Sequence, residues 1–409
     1  MNIEFQCQSC GGRDGALVLD LGLQPLVNNY LRPEDLAKPE PKFPLRLAVC
    51  HGCWLMQIAD LVPPVQLFSE YLYFSSFSDA WVRHARQAAE RYIAEFALGH
   101  DSLVMEIASN DGYLLKNFVA AGVPCLGIEP AANIAKVARE NGIETVVDFF
   151  GAETAQRLVE QNGQADLLLG NNVFAHAPDI NDFVAGLRVA LKPRGRIVLE
   201  FPYGADFIEK SEFDTIYHEH VFYFTLTPLL PLFRRHGLEI FHVEKTPMHG
   251  GSLRLFVGHA AAHPVQPSVA ARLAEEMQQG VNATAFCEPF SRQAQATKTA
   301  LRELLAQLKA GGKSVAAYGA SAKGSTLLNI CGIGRESLEF VADRSTYNQG
   351  RLTPGTHLPI VPAEELLRRQ PSHTLLLTWN FADEILEQQR DYRAAGGKFI
   401  LPIPEVRIA

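Results

Sequence analysis

The sequence predicts an α/β protein in three units: a small N-terminal unit stapled by metal, then two Rossmann-like units built on parallel sheets. Three observations carry this. The chain has 409 residues, more than one hydrophobic core accommodates. Apolar strand-like runs alternate with helical runs twice over, from about residue 102 to 260 and again from about 313 onward, the pattern of parallel sheets with crossover helices. The opening stretch instead has little helical periodicity, prolines at 25, 33, 39, 41 and 44, and two Cys-x-x-Cys pairs.

The first unit, residues 1–66, cannot bury much apolar surface alone, so a metal staple makes physical sense. Cys7, Cys10, Cys50 and Cys53 offer two thiolates on each of two tight turns, which together complete a tetrahedral zinc site. Four sulfurs leave no open position, so the zinc is structural. Its chelation is expected to loosen this unit without stopping any chemistry directly. Four buried thiols or redox pairs are the rival readings. Cys125, Cys287 and Cys331 are scattered and expected to be buried.

The second unit, residues 67–265, opens with a helical pattern over 67–95. An apolar strand at 102–109 runs into Asn110-Asp111-Gly112 and a helix over 113–122. Strands at 124–130, 143–150, 165–172 and 194–202 alternate with helices at 131–142, 151–163 and from near Asp179. After a helix at 227–237, two close strands at 238–246 and 251–260 predict an antiparallel end to the sheet. The third unit, residues 266–409, begins with polar-faced connector helices over 271–284 and 291–312. Strands at 313–321, 338–345, 357–361, 372–379 and 398–404 follow, with helices at 322–330, 362–370 and 381–396.

In a nucleotide-binding α/β unit the first strand ends in a tight turn where backbone meets ligand. Here that turn is Glu106-Ile-Ala-Ser-Asn-Asp-Gly112, in which Ala108 and Asn110 fill two slots of a G-x-G-x-G spacing. Glu129 ends the second strand, where an acidic residue can bind a ribose diol. A dinucleotide would demand more glycines. Glu106 on the first strand and the antiparallel sheet end favour S-adenosylmethionine (SAM) instead. Phe149 and Phe150 are candidates to cover the adenine, with core packing as the rival.

Tyr217-His218-Glu219-His220 sets several titratable side chains beside an apolar strand. The H-E-x-x-H spacing of a zinc peptidase is absent. A histidine acting as general base near neutral pH is the better use. His176 lies beyond the fourth strand, at the sheet edge where ligands bind, and could bond a carbonyl or its oxyanion; capping or packing competes. Tyr71 and Tyr73 are candidates for a lid, or simply core. In the third unit, Ser321 and Lys323 at a helix N-terminus suit a pyrophosphate. Asp343, Tyr347 and Asn348 would flank a nucleoside, and Trp379-Asn380 a base. A reductase-type NAD site is the alternative there, though the glycine spacing fits it poorly.

EIASNDG, GIEP, GNNVFAH, IYHEHVFYFT, YGASAKG and TWNF, with the N-terminal Cys-x-x-Cys pairs, resemble the sugar C-methyltransferase family of deoxysugar biosynthesis, in the same order and over essentially the whole chain. The resemblance implies a zinc-binding domain, a central SAM domain and a C-terminal domain that helps hold the sugar nucleotide. It implies that Glu106, Ala108, Asn110, Gly112, Glu129 and Asn171 line the SAM pocket. It assigns the base to His220, with Glu219 and Tyr217 around the sugar, and favours Tyr71 as lid. The implied substrate is a nucleotide-linked 4-keto-sugar, on thymidine or guanosine diphosphate. Its C3 and C5 protons are acidic because the carbanion delocalises as an enolate, and that carbon would then take the methyl group.

An O- or N-methyltransferase acting on a small molecule is the rival, needing less acidifying machinery and no second nucleotide unit. A net charge of −8 without Lys/Arg clusters argues against nucleic acid and anionic membranes. Lacking a spanning apolar run or a signal-like start, the chain is expected in the cytoplasm, as a monomer or weak homo-oligomer.

Overall fold

The computed structural model describes residues 5–68 and 74–409, so Tyr71 and Tyr73 lie outside the described residues. In the first unit, β1 (Gly15–Pro25), β2 (Lys42–Cys50) and β3 (Met56–Ile58) pair antiparallel. Cys50 and Cys53 form the turn joining β2 to β3, closed by the Cys50 amide donating to the Leu55 carbonyl at 2.9 Å.

The central sheet starts with β4 (Val104–Ile107), β5 (Cys125–Ile128), β6 (Thr145–Val146), β7 (Ala165–Asn171) and β8 (Leu191–Pro202), all parallel. Helices cover both faces, and Leu167, Leu168 and Leu169 of β7 are accordingly all fully buried. Asp179 caps the helix Ile180–Ala190 by accepting from the Asp182 amide. The next strand, β9 (Phe222–Tyr223), leaves this sheet and pairs with β3, completing the N-terminal sheet in the order β1-β2-β3-β9. Then β10 (Leu238–Thr246) and β11 (Ser252–His259) close the central sheet as an antiparallel pair, order β10-β11-β8-β7-β4-β5-β6.

The C-terminal sheet contains β12 (Val315–Tyr318), β13 (Val341–Asp343), β14 (Ile360–Pro362), β15 (His373–Leu376), β16 (Lys398–Leu401) and β17 (Arg407–Ile408). Its order, β14-β13-β12-β15-β16-β17, is parallel except for the last strand.

Several expected elements are shorter, for local reasons. The run 143–150 pairs only at Thr145–Val146, because β6 is an edge and the chain peels away to place 148–150 elsewhere. The helical pattern over 67–95 yields the regular helix Asp79–Glu95, preceded by a 3₁₀ turn at Ser75–Phe77. The helix expected over 381–396 divides into Ala382–Gln388 and Arg390–Ala394.

The connector helices Pro267–Gln279 and Glu288–Ala310 are more than polar spacers. Phe290, Leu301 and Leu305 enter the core. Glu276, fully buried, accepts from the Leu226 amide (2.6 Å), the Thr227 amide (2.8 Å) and hydroxyl (2.6 Å), and the Tyr203 hydroxyl (2.9 Å). It thereby caps the helix Leu226–Arg235 from outside, since Thr225 makes no side-chain cap. Glu276→Ala would strand four donors, and a loss of roughly 3 kcal/mol or more is expected. Calorimetry should show it as a lowered melting temperature; an unchanged melt would refute the cap.

Candidate active site

The turn after β4 has Ala108 (φ +53°), Asn110 (φ +50°) and Gly112 (φ +81°) in the left-handed region, every second residue. These are the three slots of the glycine-rich spacing. Asparagine tolerates the conformation and alanine carries a penalty of about 1–2 kcal/mol. At Gly112 a side chain is barred sterically as well, since a Cβ would lie 2.6 Å from Ile143 Cγ1. Glu129, at the end of β5, fastens the turn: it accepts from the Asn110 amide at 3.0 Å and the Ala131 amide at 2.9 Å. Burial pushes its carboxyl up to about 7, against those two hydrogen bonds. Glu106 is fully buried below, and burial with Asp111 and Glu129 nearby holds its carboxyl well above the usual range.

Both Glu106 oxygens, Ser109 Oγ and Asp111 Oδ1 lack a hydrogen-bond partner of good geometry among the described residues. A buried, acidic, under-satisfied turn suits a ligand bearing a sulfonium and an ammonium group. SAM fits these residues.

A cavity of about 780 Å³ opens on this turn. Ala108, Asn110, Glu129 and Asn171 line it, whereas Glu106 and Gly112 lie behind the wall. Phe149 and Phe150 both line it; Phe149 is 44% exposed, while Phe150 also packs edge-on against Phe183 at 5.3 Å. The 3₁₀ turn docks here too, with the Ser75 amide donating to Asn110 Oδ1 (2.9 Å) and the Ser76 amide to Asp111 Oδ2 (3.1 Å).

His220 and Tyr217 line the same cavity. They belong to a tight turn closed by the His220 amide on the Tyr217 carbonyl at 2.9 Å, not to an extended strand, so residues three apart share a side. His220 Nδ1 lies 3.1 Å from the Thr215 carbonyl, a contact only an N–H can make favourably. Nε2 is therefore the lone-pair nitrogen, 2.7 Å from the Tyr217 hydroxyl. His176 packs edge-on against His220 at 4.8 Å and also lines the cavity. Burial pushes it down to about 4, so its imidazole is neutral. His218 instead faces the first unit, its Nε2 3.0 Å from the Pro44 carbonyl. Glu219 is 3% exposed and lies outside the cavity wall, accepting from Asn28.

The third unit forms the opposite wall through Ser321, Lys323, Asp343, Asn348 and Asn380. Ser321 caps the helix Ala322–Cys331 by accepting from the Gly324 amide at 3.1 Å. Asp343, at the end of β13, accepts from the Ala320 amide (2.6 Å) and the Ser345 amide (2.7 Å), and burial pushes it up to about 6. It thus does for the turn after β12 what Glu129 does for the turn after β4. Two expected contacts fall outside the wall. Trp379 donates its Nε1 to Asp214 at 2.7 Å and so ties the third unit to the segment before the Tyr217–His220 turn. Tyr347 stacks on Phe74 at 4.5 Å. Lys323 sits over the Trp379 ring at 4.8 Å, in the field of Glu212 and Asp214, so its charge is already partly matched by carboxyls.

Asn28, Tyr30, Trp81, Glu212 and Arg344 also line the wall, and no motif pointed to them. Glu212 Oε1, Asn348 Oδ1 and Thr378 Oγ1 line or abut the cavity without a hydrogen-bond partner among the described residues. In the first unit, the four cysteine sulfurs lie within 4.8 Å of one another, with Cys7–Cys53 at 3.5 Å and Cys10–Cys50 at 3.6 Å. Tetrahedral zinc–thiolate bonds require sulfurs about 3.8 Å apart, so the four fit a zinc ion.

Comparison with known proteins gives three domain families in series. Residues 7–68 match a domain proposed to bind zinc, 81–243 a methyltransferase domain, and 247–404 a C-methyltransferase C-terminal domain. The C-methyltransferase NovU of Streptomyces niveus is 38% identical over 404 residues, 98% of this chain and 96% of that protein. A ubiquinone biosynthesis O-methyltransferase of Chelativorans sp. (strain BNC1) is 30% identical over 93 residues, 22% of this chain and 37% of that protein. Among solved structures, the magnesium protoporphyrin IX methyltransferase of Synechocystis PCC 6803 aligns over 44% of this chain and 83% of its own, with 13% identity and a TM-score of 0.35.

Proposed function

The chain belongs to the C-methyltransferase family and is a SAM-dependent methyltransferase; from that premise we propose that it methylates C3 or C5 of a nucleotide-linked 4-keto-deoxysugar. One observation carries the reading. Two strand-end carboxyls, Glu129 and Asp343, each clamp the turn after the first strand of their own sheet, and both line one cavity with His220. A strand-end acid in this position suits a ribose diol. A single cavity with two such acids suits two nucleosides, one from the cofactor and one from the substrate. Glu212, Asn348 and Thr378 add buried acceptors that a hydroxyl-rich sugar nucleotide can satisfy. Arg344 lines the wall and has no ion pair among the described residues, so it suits the diphosphate.

SAM, when bound, supplies a methyl group on a sulfonium sulfur, open to in-line attack by a carbon nucleophile. The chain's own residues prepare that nucleophile. The Thr215 carbonyl fixes the His220 tautomer and leaves Nε2 to take the proton beside the sugar carbonyl. Charge gathers on the carbonyl oxygen as the proton leaves, and the neutral His176 ring beside His220 donates to it. Wall residues from all three units hold the sugar in one orientation, which contributes to lowering the barrier.

Incubation with methyl-¹³C SAM and thymidine- or guanosine-diphosphate-linked 4-keto-6-deoxysugars tests the reading. A new carbon-bound methyl on the sugar is expected by NMR. An oxygen-bound methyl, or no turnover of either nucleotide series, would sink it.

A further inference from the structure

We propose that the zinc-stapled N-terminal sheet is the anchor of the catalytic turn and that Asn28 is a positioning residue for it. Sequence patterning assigns the metal a role confined to its own unit. The fold connects it to the chemistry by four links, the last a relay within the anchored segment.

The first is the sheet itself. β9 follows His220 almost immediately and pairs with β3, Met56 opposite Tyr223 and Gln57 opposite Phe222. The Ile58 amide extends the pairing by donating to the Val221 carbonyl at 2.9 Å. The second link is His218, whose Nε2 lies 3.0 Å from the Pro44 carbonyl of β2. The third is Asn28, whose Nδ2 reaches both Glu219 oxygens, at 2.7 and 2.9 Å. The fourth is Tyr223, whose hydroxyl donates to the Thr215 carbonyl at 3.1 Å, the same oxygen that orients His220 Nδ1.

The metal ligands sit where these links converge. Cys50 ends β2 and Cys53 lies in the turn before β3, so a zinc on this turn sets the spacing of the two strands that grip residues 218–223. The path from metal to base is contiguous: the Cys50–Cys53 turn, β3, β9, Tyr223, the Thr215 carbonyl, His220. Every step is a hydrogen bond or a covalent neighbour. Asn28 enters from the segment between β1 and β2 and holds Glu219, the residue between the two histidines. A base displaced by about 1 Å loses on the order of a hundredfold in rate, so anchoring of this kind bears on turnover without any contact between zinc and substrate.

The test has two arms. In the first, zinc is removed from the full-length protein by a chelator, its loss is checked by elemental analysis, and amide hydrogen exchange is compared with the zinc-loaded form. Faster exchange is expected at Ile58 and across 216–224, with β4 and β7 still protected and the demethylated cofactor still bound. Unchanged exchange across 216–224 after verified zinc loss would overturn the anchor. This arm does not involve the sugar, so its failure is distinct from failure of the substrate reading.

In the second arm Asn28→Ala is expected to lower kcat at least tenfold, with cofactor affinity little changed. Asn28→Asp should do worse, since it sets two carboxyls against each other. The exchanged pair Asn28→Asp with Glu219→Gln restores one donor and one acceptor and should recover part of the loss. A role in folding alone would depress all three variants' melting temperatures without that recovery. Full kcat in Asn28→Ala, or no recovery in the exchanged pair, would refute the assignment of Asn28.

Discussion

His220→Ala is expected to abolish exchange of the acidic sugar proton with solvent deuterium, and product formation with it, while cofactor binding is retained. The geometry separates the two functions. The turn after β4, where the cofactor is expected, is held by Glu129 through the Asn110 and Ala131 amides. His220 is oriented from the other side, by the Thr215 carbonyl at 3.1 Å, which leaves Nε2 beside the Tyr217 hydroxyl at 2.7 Å. Loss of a positioned base lowers rates by about a hundred- to ten-thousandfold. The measurement is deuterium incorporation into the keto-sugar with the demethylated cofactor bound, read by mass spectrometry beside turnover. Near-normal exchange in His220→Ala would remove it from the mechanism. His218→Ala is the control: its ring faces the Pro44 carbonyl and the Phe43 ring, so exchange should survive where the fold does.

His176→Ala should lower kcat by roughly a hundred- to a thousandfold, the usual consequence of losing an oxyanion donor. Substrate binding should change far less, because the charge His176 meets develops only as the proton leaves. The ring's neutrality is the physical basis: burial depresses it to about 4, so it does not compete with His220 for the proton. The same depression makes a stability prediction of definite sign. An unfolded histidine takes up a proton below about 6.5, whereas His176 in the folded protein resists until about 4. Folding therefore loses stability as pH falls through that window, by up to roughly 3 kcal/mol. His176→Gln removes this contribution, and its melting temperature should fall less steeply between pH 7 and 4 than that of the parent. Equal slopes, or a kcat unchanged in His176→Ala, would contradict the role.

The parts of the site legible in sequence share one property: the residues that make them are close in the chain. Cys7 and Cys10, the alternation Ala108, Asn110, Gly112, and the turn Tyr217–His220 each carry their geometry in four or five consecutive positions. Glu129 and Asp343 were legible because a strand end is a fixed place in a βαβ unit. Asn28, Tyr30, Trp81, Glu212 and Arg344 had no such signature. Their only claim to the cavity is that distant segments meet there, and Arg344, next to Asp343, lines the same wall without a motif to mark it. Trp379 is a different case. An aromatic at a strand end suggests contact with a base; in the fold its indole N–H donates to Asp214, whose carboxyl burial has raised to about 7. Likewise the polar-looking helix Pro267–Gln279 concealed Glu276, whose partners lie in the segments at 203 and 226–227.

The sequence by itself determined the α/β organisation with its four-cysteine N-terminal unit, the left-handed turn after β4 and the order of the strands along the chain. Periodicity, turn chemistry and ligand spacing are local, and local preferences survive in every context that does not overrule them. Only the tertiary structure decided that β9 crosses into the N-terminal sheet, that Glu219 is held by Asn28, and that one cavity is walled by all three units. A two-residue strand has no periodicity to read, and a hydrogen bond between residues 28 and 219 exists only once burial has brought them together. Pairings of that kind are selected by the packing of whole units, where thousands of alternative contacts compete and none is written in the neighbouring residues.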